Sequence, residues 1–126
     1  MKTLQQEIYK LISVNGNNVY SDFLPSEDEN DIDLDYSKNI YITYILKNIE
    51  DIGYKDSILL DVEVISSLEN RLNVRDKALE LDELLKDTYI EKCDSKIIRS
   101  NVYFMPFNDL EDSKALITLS YKILKY

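Results

Sequence analysis

The residues best placed to do chemistry are carboxylates. In EDENDIDLDY, Glu27 to Tyr36, three aspartates alternate with apolar residues. Asp31, Asp33 and Asp35 match positions 1, 3 and 5 of a calcium loop of the EF-hand type, which then needs Gly at 6 and Glu at 12. Tyr36 and Ile42 stand there instead. Without the glycine the sharp turn is lost, and without the glutamate the bidentate ligand is missing, so no metal site is expected. Asp61 and Glu63 are spaced by two, which puts both carboxylates on one side of a strand. Acid–base hydrolysis needs a cleft between such a pair. Nothing nearby in the sequence indicates one, and a polar strand face is the expected reading. Cys93 is the sole cysteine and the chain has no histidine. The thiol has neither a disulfide partner nor an imidazole to activate it. Catalytic, cofactor-binding and metal-ligating residues are therefore all expected to be none, and the chain is read as not an enzyme.

Composition narrows the function classes further. The 126 residues amount to one domain, and 44% of them are hydrophobic, an ordinary globular share. Fifteen basic against 24 acidic residues give a net charge of -9. Such a balance repels phosphate, so nucleic-acid binding is not expected. It suits a soluble protein or one with a basic partner. Two glycines and two prolines exclude a glycine-rich phosphate cradle and a Gly/Ser linker. No apolar run approaches the roughly 18 residues that span a bilayer. MKTLQQEIYK has no apolar core of a signal peptide. A cytoplasmic site of synthesis, without membrane contact, is the expectation.

The elements that must position these residues follow from periodicity. Thr3 reads as the N-cap of a first helix from about Leu4 to Val14, with Gln6 completing a capping box and Asn15-Gly16 ending it. Leu4, Ile8, Leu11 and Ile12 share its apolar stripe. VYSDFL, Val19 to Leu24, is a short strand that stops at Pro25. Ile40 to Leu46 and Ser57 to Ile65 are rich in β-branched residues and form an antiparallel hairpin about the turn Asp51 to Asp56. Ile58, Leu60, Val62 and Val64 take one face of the second strand. Ser66 to Lys86 is a long helix, with Ser67 as an imperfect cap. Leu68, Leu72 and Leu79 form one of its stripes, and Val74, Ala78, Leu81 and Leu85 an adjoining one. An arc that wide predicts a helix packed on a sheet and touching something else as well. The like-charged pairs Arg71–Arg75 and Asp76–Glu80 on its polar face are mildly unfavourable on an isolated helix.

Two short strands, Lys96 to Arg99 and Val102 to Phe107, come next. In VYFMPF, Val102, Phe104 and Pro106 point one way and Tyr103, Met105 and Phe107 the other. A strand apolar on both sides lies either centrally in a sheet or at an interface, and Pro106 disfavours the centre. After a loop from Asn108 to Lys114, Leu116 to Leu124 alternates cleanly, with Ile117, Leu119, Tyr121 and Ile123 inward. The predicted fold is a single α+β domain over residues 1–126. It has a mainly antiparallel sheet of about four to six strands, two helices on one face, and the order α-β-β-β-α-β-β.

This whole pattern resembles the tail terminator (tail-completion or collar) proteins of tailed phages and of phage-tail-like bacteriocin particles. The resemblance rests on ILLDVEVISSLENRLNVRDKALELDELL, Ile58 to Leu85. A strand with a D-V-x-V/I-x-S stretch runs there into a helix with an Arg and a following A-L, here Asp61, Val62, Val64, Ser66, Arg75, Ala78 and Leu79. The final strand pair from Asn101 to Tyr126 and the opening LQQEIYKLI and VYSDFLP fit the same pattern. The resemblance implies a homo-oligomeric ring, a hexamer, that caps the tail tube and stops its polymerisation. It also implies contacts with the tube and with sheath or head-connector proteins, no cofactor, and assembly in the bacterial host cytoplasm. A head–tail joining or minor tail protein of the same particle, and an acidic cytoplasmic binding or inhibitor module, stay open as alternatives. Charge reversal at Asp31, Asp33 and Asp35 is expected to spare the fold and impair assembly.

Overall fold

The computed structural model describes residues 2–14, 17–22, 24, 33–49 and 57–125. The expected turn at Asp51 to Asp56, the helix stop Asn15-Gly16 and the residues from Glu27 to Ile32 lie outside them. The elements are α1 (Lys2–Ile12), β1 (Asn18–Ser21), β2 (Tyr41–Ile49), β3 (Ser57–Ser67), α2 (Arg71–Leu85), β4 (Tyr89–Ile90), β5 (Ser95–Asp109) and β6 (Lys114–Lys125). Six strands form one sheet in the order β1-β2-β3-β6-β5-β4. Four of the pairings are antiparallel, and β1 joins β2 in parallel, so the sheet is mixed but mainly antiparallel. The predicted hairpin is present, with Tyr41 opposite Ile65 and Leu46 opposite Leu60.

The alternation in β3 and β6 explains the core. Leu60, Val62 and Val64 of β3 stand opposite Tyr121, Leu119 and Ile117 of β6 and are buried with them. Onto that face pack Leu4, Ile8 and Ile12 from α1 and Val74, Ala78, Leu81 and Leu85 from α2. Each fully buried large aliphatic side chain stabilises by about 1.5–3 kcal/mol. Both helices therefore lie on one side of the sheet, as predicted. The other predicted stripe of α2 behaves differently: Leu72 is 70% exposed and Leu79 48% exposed.

Four details depart from the expectations. Helix α1 starts at Lys2, so Thr3 lies inside its first turn rather than at the cap. Its far end is closed by Asn17, whose Nδ2 donates to the Ile12 carbonyl at 3.0 Å. Strand β3 runs on through Ser67, and a single 3-10 turn, Leu68–Asn70, intervenes before α2. Ser67 makes no side-chain cap bond. It is Ser66 that is used, its Oγ 2.8 Å from the carbonyls of both Tyr36 and Asn39. The two predicted strands after α2 form one strand, β5, because both halves pair with β6. Arg99 faces Tyr121 and Phe104 faces Leu119, five steps on β5 against two on β6, so the intervening residues bulge. Finally, the short β4 pairs Tyr89 and Ile90 with Lys96 and Ser95. Two residues are too few for a periodic signal.

A candidate assembly surface

The bulge in β5 is held by a buried polar cluster. Asp82 is only 3% exposed, although it sits among the apolar residues of α2. Its Oδ1 accepts hydrogen bonds from Tyr121 Oη at 2.7 Å and Arg99 Nε at 3.2 Å, and its Oδ2 pairs with Arg99 Nη2. Burial opposes the Asp82 charge, but the bonds from Arg99 and Tyr121 outweigh it and hold the carboxyl below its ordinary range. Burial, reinforced by the neighbouring Asp82, pushes the Tyr121 phenol far up. The Arg99 guanidinium lies 4.2 Å from the centre of the Tyr103 ring. Arg75 of α2 stands 5.6 Å from the Phe104 ring. Strand β5 is thus clamped to α2 on both sides of its bulge.

What the clamp presents outward is apolar. From Ser100 to Asn108 there is no charged residue, in a chain that is 31% charged. Val102 is 64% exposed, Met105 46% and Phe107 60%, with Leu110 at 77% in the turn beyond. Strand β4 pairs only as far as Lys96, and the Ile97 N–H donates to the Thr88 carbonyl at 2.8 Å. Past that point the edge of β5 has no neighbouring strand among the described residues. Pro106 is tolerated there because an edge residue need not donate to a ladder. The predicted choice between centre and interface thus resolves structurally to a free edge beside β6. On the sheet face away from the helices, Phe107, Leu116 and Ile65 lie directly across from one another. On the opposite face, toward the helices, a cleft of about 130 Å³ is lined by Arg71, Leu72, Arg75, Pro106 and Asn108 among others.

The carboxylates singled out in the sequence are placed elsewhere. Asp61 accepts from Ser120 Oγ at 2.9 Å and pairs with Lys47 Nζ at 3.7 Å, while Glu63 is exposed on the same face. They belong to the sheet face away from the helices. Asp31 lies outside the described residues, and Asp33 is exposed. Asp35 is an internal anchor. Its Oδ1 accepts the Ser37 N–H at 3.0 Å, and the bonds from Ser37, the hydroxyl first, lower its carboxyl pKa against the effect of burial. Tyr36 stacks edge-on to Tyr41 at 5.2 Å and lies 4.2 Å from Lys114 Nζ. The described end of EDENDIDLDY, Asp33 to Tyr36, therefore folds against its own sheet. Charge reversal at Asp35 would remove the acceptor of these local Ser37 bonds. Cys93 is half-buried in a 3-10 turn. Among the described residues no three His, Cys, Asp or Glu side chains are grouped to hold a metal ion. An open groove of about 760 Å³ between α1 and the β1–β2 edge is lined by Gln5, Gln6, Tyr9, Lys10, Ser21 and Tyr44, with no carboxylate.

Sequence reasoning missed the Asp82–Arg99–Tyr121 cluster, because an aspartate within a helix is expected on its solvated face. The signal was present: Asp82 falls four residues after Ala78 and three before Leu85, on the buried stripe.

No family model matches the sequence and no curated protein does. A solved structure, whose name is a bare serial designation, superposes with a TM-score of 0.63 over 100% of this chain and 96% of its own, at 12% identity. That likeness shows the α+β fold is one a natural chain of similar length adopts. Among the described residues no helix is long and apolar enough to cross a membrane.

Proposed function

We propose that this protein is a structural assembly subunit that caps the end of a phage or phage-like tail tube as a homo-oligomeric ring, with the role of a tail terminator. The observation that carries the assembly part of this reading is the uncharged, partly unpaired length of β5. Natural sheets protect a free edge with charges, especially Lys, or by covering it. Among the described residues only the bulge and Pro106 blunt it, while Val102, Met105 and Phe107 stay exposed. A subunit that spends its life in an assembly has that edge and face covered by neighbours. The tube-capping part rests on the resemblance of Ile58 to Leu85 and Asn101 to Tyr126 to tail terminators. On this reading the chain catalyses nothing and holds no cofactor. Its partners are its own copies, the tube, and the sheath or head connector, met in the host cytoplasm and kept in the particle.

The test is to polymerise the tube protein encoded beside this gene with and without the purified chain. Tubes of bounded length with a ring at one end, seen by electron microscopy, are the expected result. Unchanged tube lengths with no chain at the ends would overturn the reading, as would the lack of tube and sheath genes in the neighbourhood.

A further inference from the structure

The cleft beside Pro106 has a chemistry that the apolar edge alone does not explain. Arg71 and Arg75 lie one helical turn apart on α2, both exposed, with the 70% exposed Leu72 between them. Like charges at this spacing destabilise a helix slightly. Neither guanidinium pairs with a carboxylate among the described residues: Arg71 donates to the Leu68 carbonyl, and Arg75 faces the Phe104 ring. In a protein of net charge -9, two unpaired arginines flanking an apolar cleft fit an acidic partner with an apolar anchor. The cleft, at about 130 Å³, has room for one side chain, since about 150 Å³ houses a benzene.

One segment of this same chain has the matching chemistry. The β5–β6 turn carries Leu110, at 77% the most exposed large hydrophobic among the described residues, followed by Glu111 and Asp112. The turn is preorganised. Asp109 Oδ1 accepts the N–H groups of Glu111 at 3.1 Å and Asp112 at 3.2 Å, and the Leu68 N–H donates to the Ser113 carbonyl at 2.7 Å. Its exposure shows that Leu110 does not fill its own cleft. Glu111 and Asp112 form no ion pair among the described residues, so both remain available. A rigid turn loses little entropy when it docks.

We infer that the turn Asp109 to Asp112 of one copy docks in the Arg71–Leu72–Arg75 cleft of a second copy, Leu110 against Leu72 and Pro106, and Glu111 and Asp112 on the two arginines. This rests on the self-assembly proposed above and names the surfaces that meet.

The test is a charge swap read by sedimentation velocity. One variant carries Arg71→Glu and Arg75→Glu, the other Glu111→Lys and Asp112→Lys. Each alone is expected to weaken wild-type self-association at least about tenfold, which is about 1.4 kcal/mol. Mixing the two is expected to restore it, because each supplies the complement the other lacks. Leu110→Ser, which alters no charge, weakens association without rescue by mixing. Circular dichroism melts confirm that each variant is folded. Variants that associate like wild type, a mixture that stays dissociated, or a wild-type chain that shows no concentration-dependent association would each overturn the inference. Rescue by mixing without any effect on tube length would leave this contact standing and remove the tube-capping reading. Capping by both swapped variants alone would do the reverse.

Discussion

At the scale of single residues, Asp82 couples more of the structure than any catalytic candidate in the sequence. It links α2 to β6 through Tyr121 and to β5 through Arg99, so removing its charge strands a phenol and a guanidinium together. Breaking a buried ion pair costs about 3–5 kcal/mol. The Arg99 side chain is 37% exposed, and solvent recovers part of that loss. Asp82→Asn is therefore expected to lower unfolding free energy by about 2 kcal/mol in urea titration. The pH dependence has two limbs. Because the folded Asp82 carboxyl titrates below its unfolded value, its stabilisation is complete above about pH 4 and disappears as pH falls through the folded value. Tyr121 is raised, so its contribution is complete below about pH 10 and disappears as pH rises beyond it, where the unfolded phenol ionises and the folded one resists. Melts of wild type and Asp82→Asn across the acid range should converge below pH 4, and Tyr121→Phe should flatten the alkaline limb. Parallel curves throughout would deny the cluster its role. The spacing of Asp82 from Ala78 and Leu85 matches the buried stripe, a signal the expected polar role of an aspartate masks. What the sequence could not supply was Arg99, seventeen residues away and brought alongside only by the pairing of β5 with β6.

Elements show the same division between local and long-range information. Strands β3 and β6 were legible because each alternates over its whole length, and α2 because Val74, Ala78, Leu81 and Leu85 repeat at helical spacing. Strand β5 was read as two because Ser100 and Asn101 interrupt its apolar pattern, although a bulge lets one strand continue past them. The junction of β3 and α2 was misplaced for a different reason. Ser66 and Ser67 look like helix caps, yet Ser66 is an inward strand residue whose hydroxyl meets a segment thirty residues earlier. Ser66→Ala takes the hydroxyl donor from the Asn39 carbonyl and leaves the Tyr36 carbonyl to the Ser67 N–H. It is expected to cost about 1–2 kcal/mol and to speed amide exchange over Asp35 to Asn39. If exchange there is unchanged, the hydroxyl does not hold the segment. Along β5, Met105→Lys adds the kind of charge natural edges carry. Stability should move by no more than about 0.5 kcal/mol, while self-association falls in sedimentation velocity.

For the molecule as a whole, two tendencies oppose each other. A net charge of -9 drives copies apart, over a range of about 10 Å at 0.1 M salt. The exposed apolar length of β5, with Phe107, Leu116 and Ile65 on the sheet face next to it, draws them together. On the proposed assembly reading, association is favoured only where apolar surfaces meet in close contact and charges are matched, so it would be selective rather than indiscriminate. The double substitution Val102→Lys with Phe107→Lys separates this role from folding. Both side chains are mostly exposed, so the melting temperature should shift by only a few degrees, since about 1 kcal/mol moves a domain of this size by about 4 °C. If β5 is the assembly surface, the same variant leaves tube lengths unbounded in the polymerisation assay and sediments as a monomer. Loss of stability in step with loss of capping would instead make this stretch of β5 part of the fold's own support, and the covered surface would have to be sought elsewhere on the sheet.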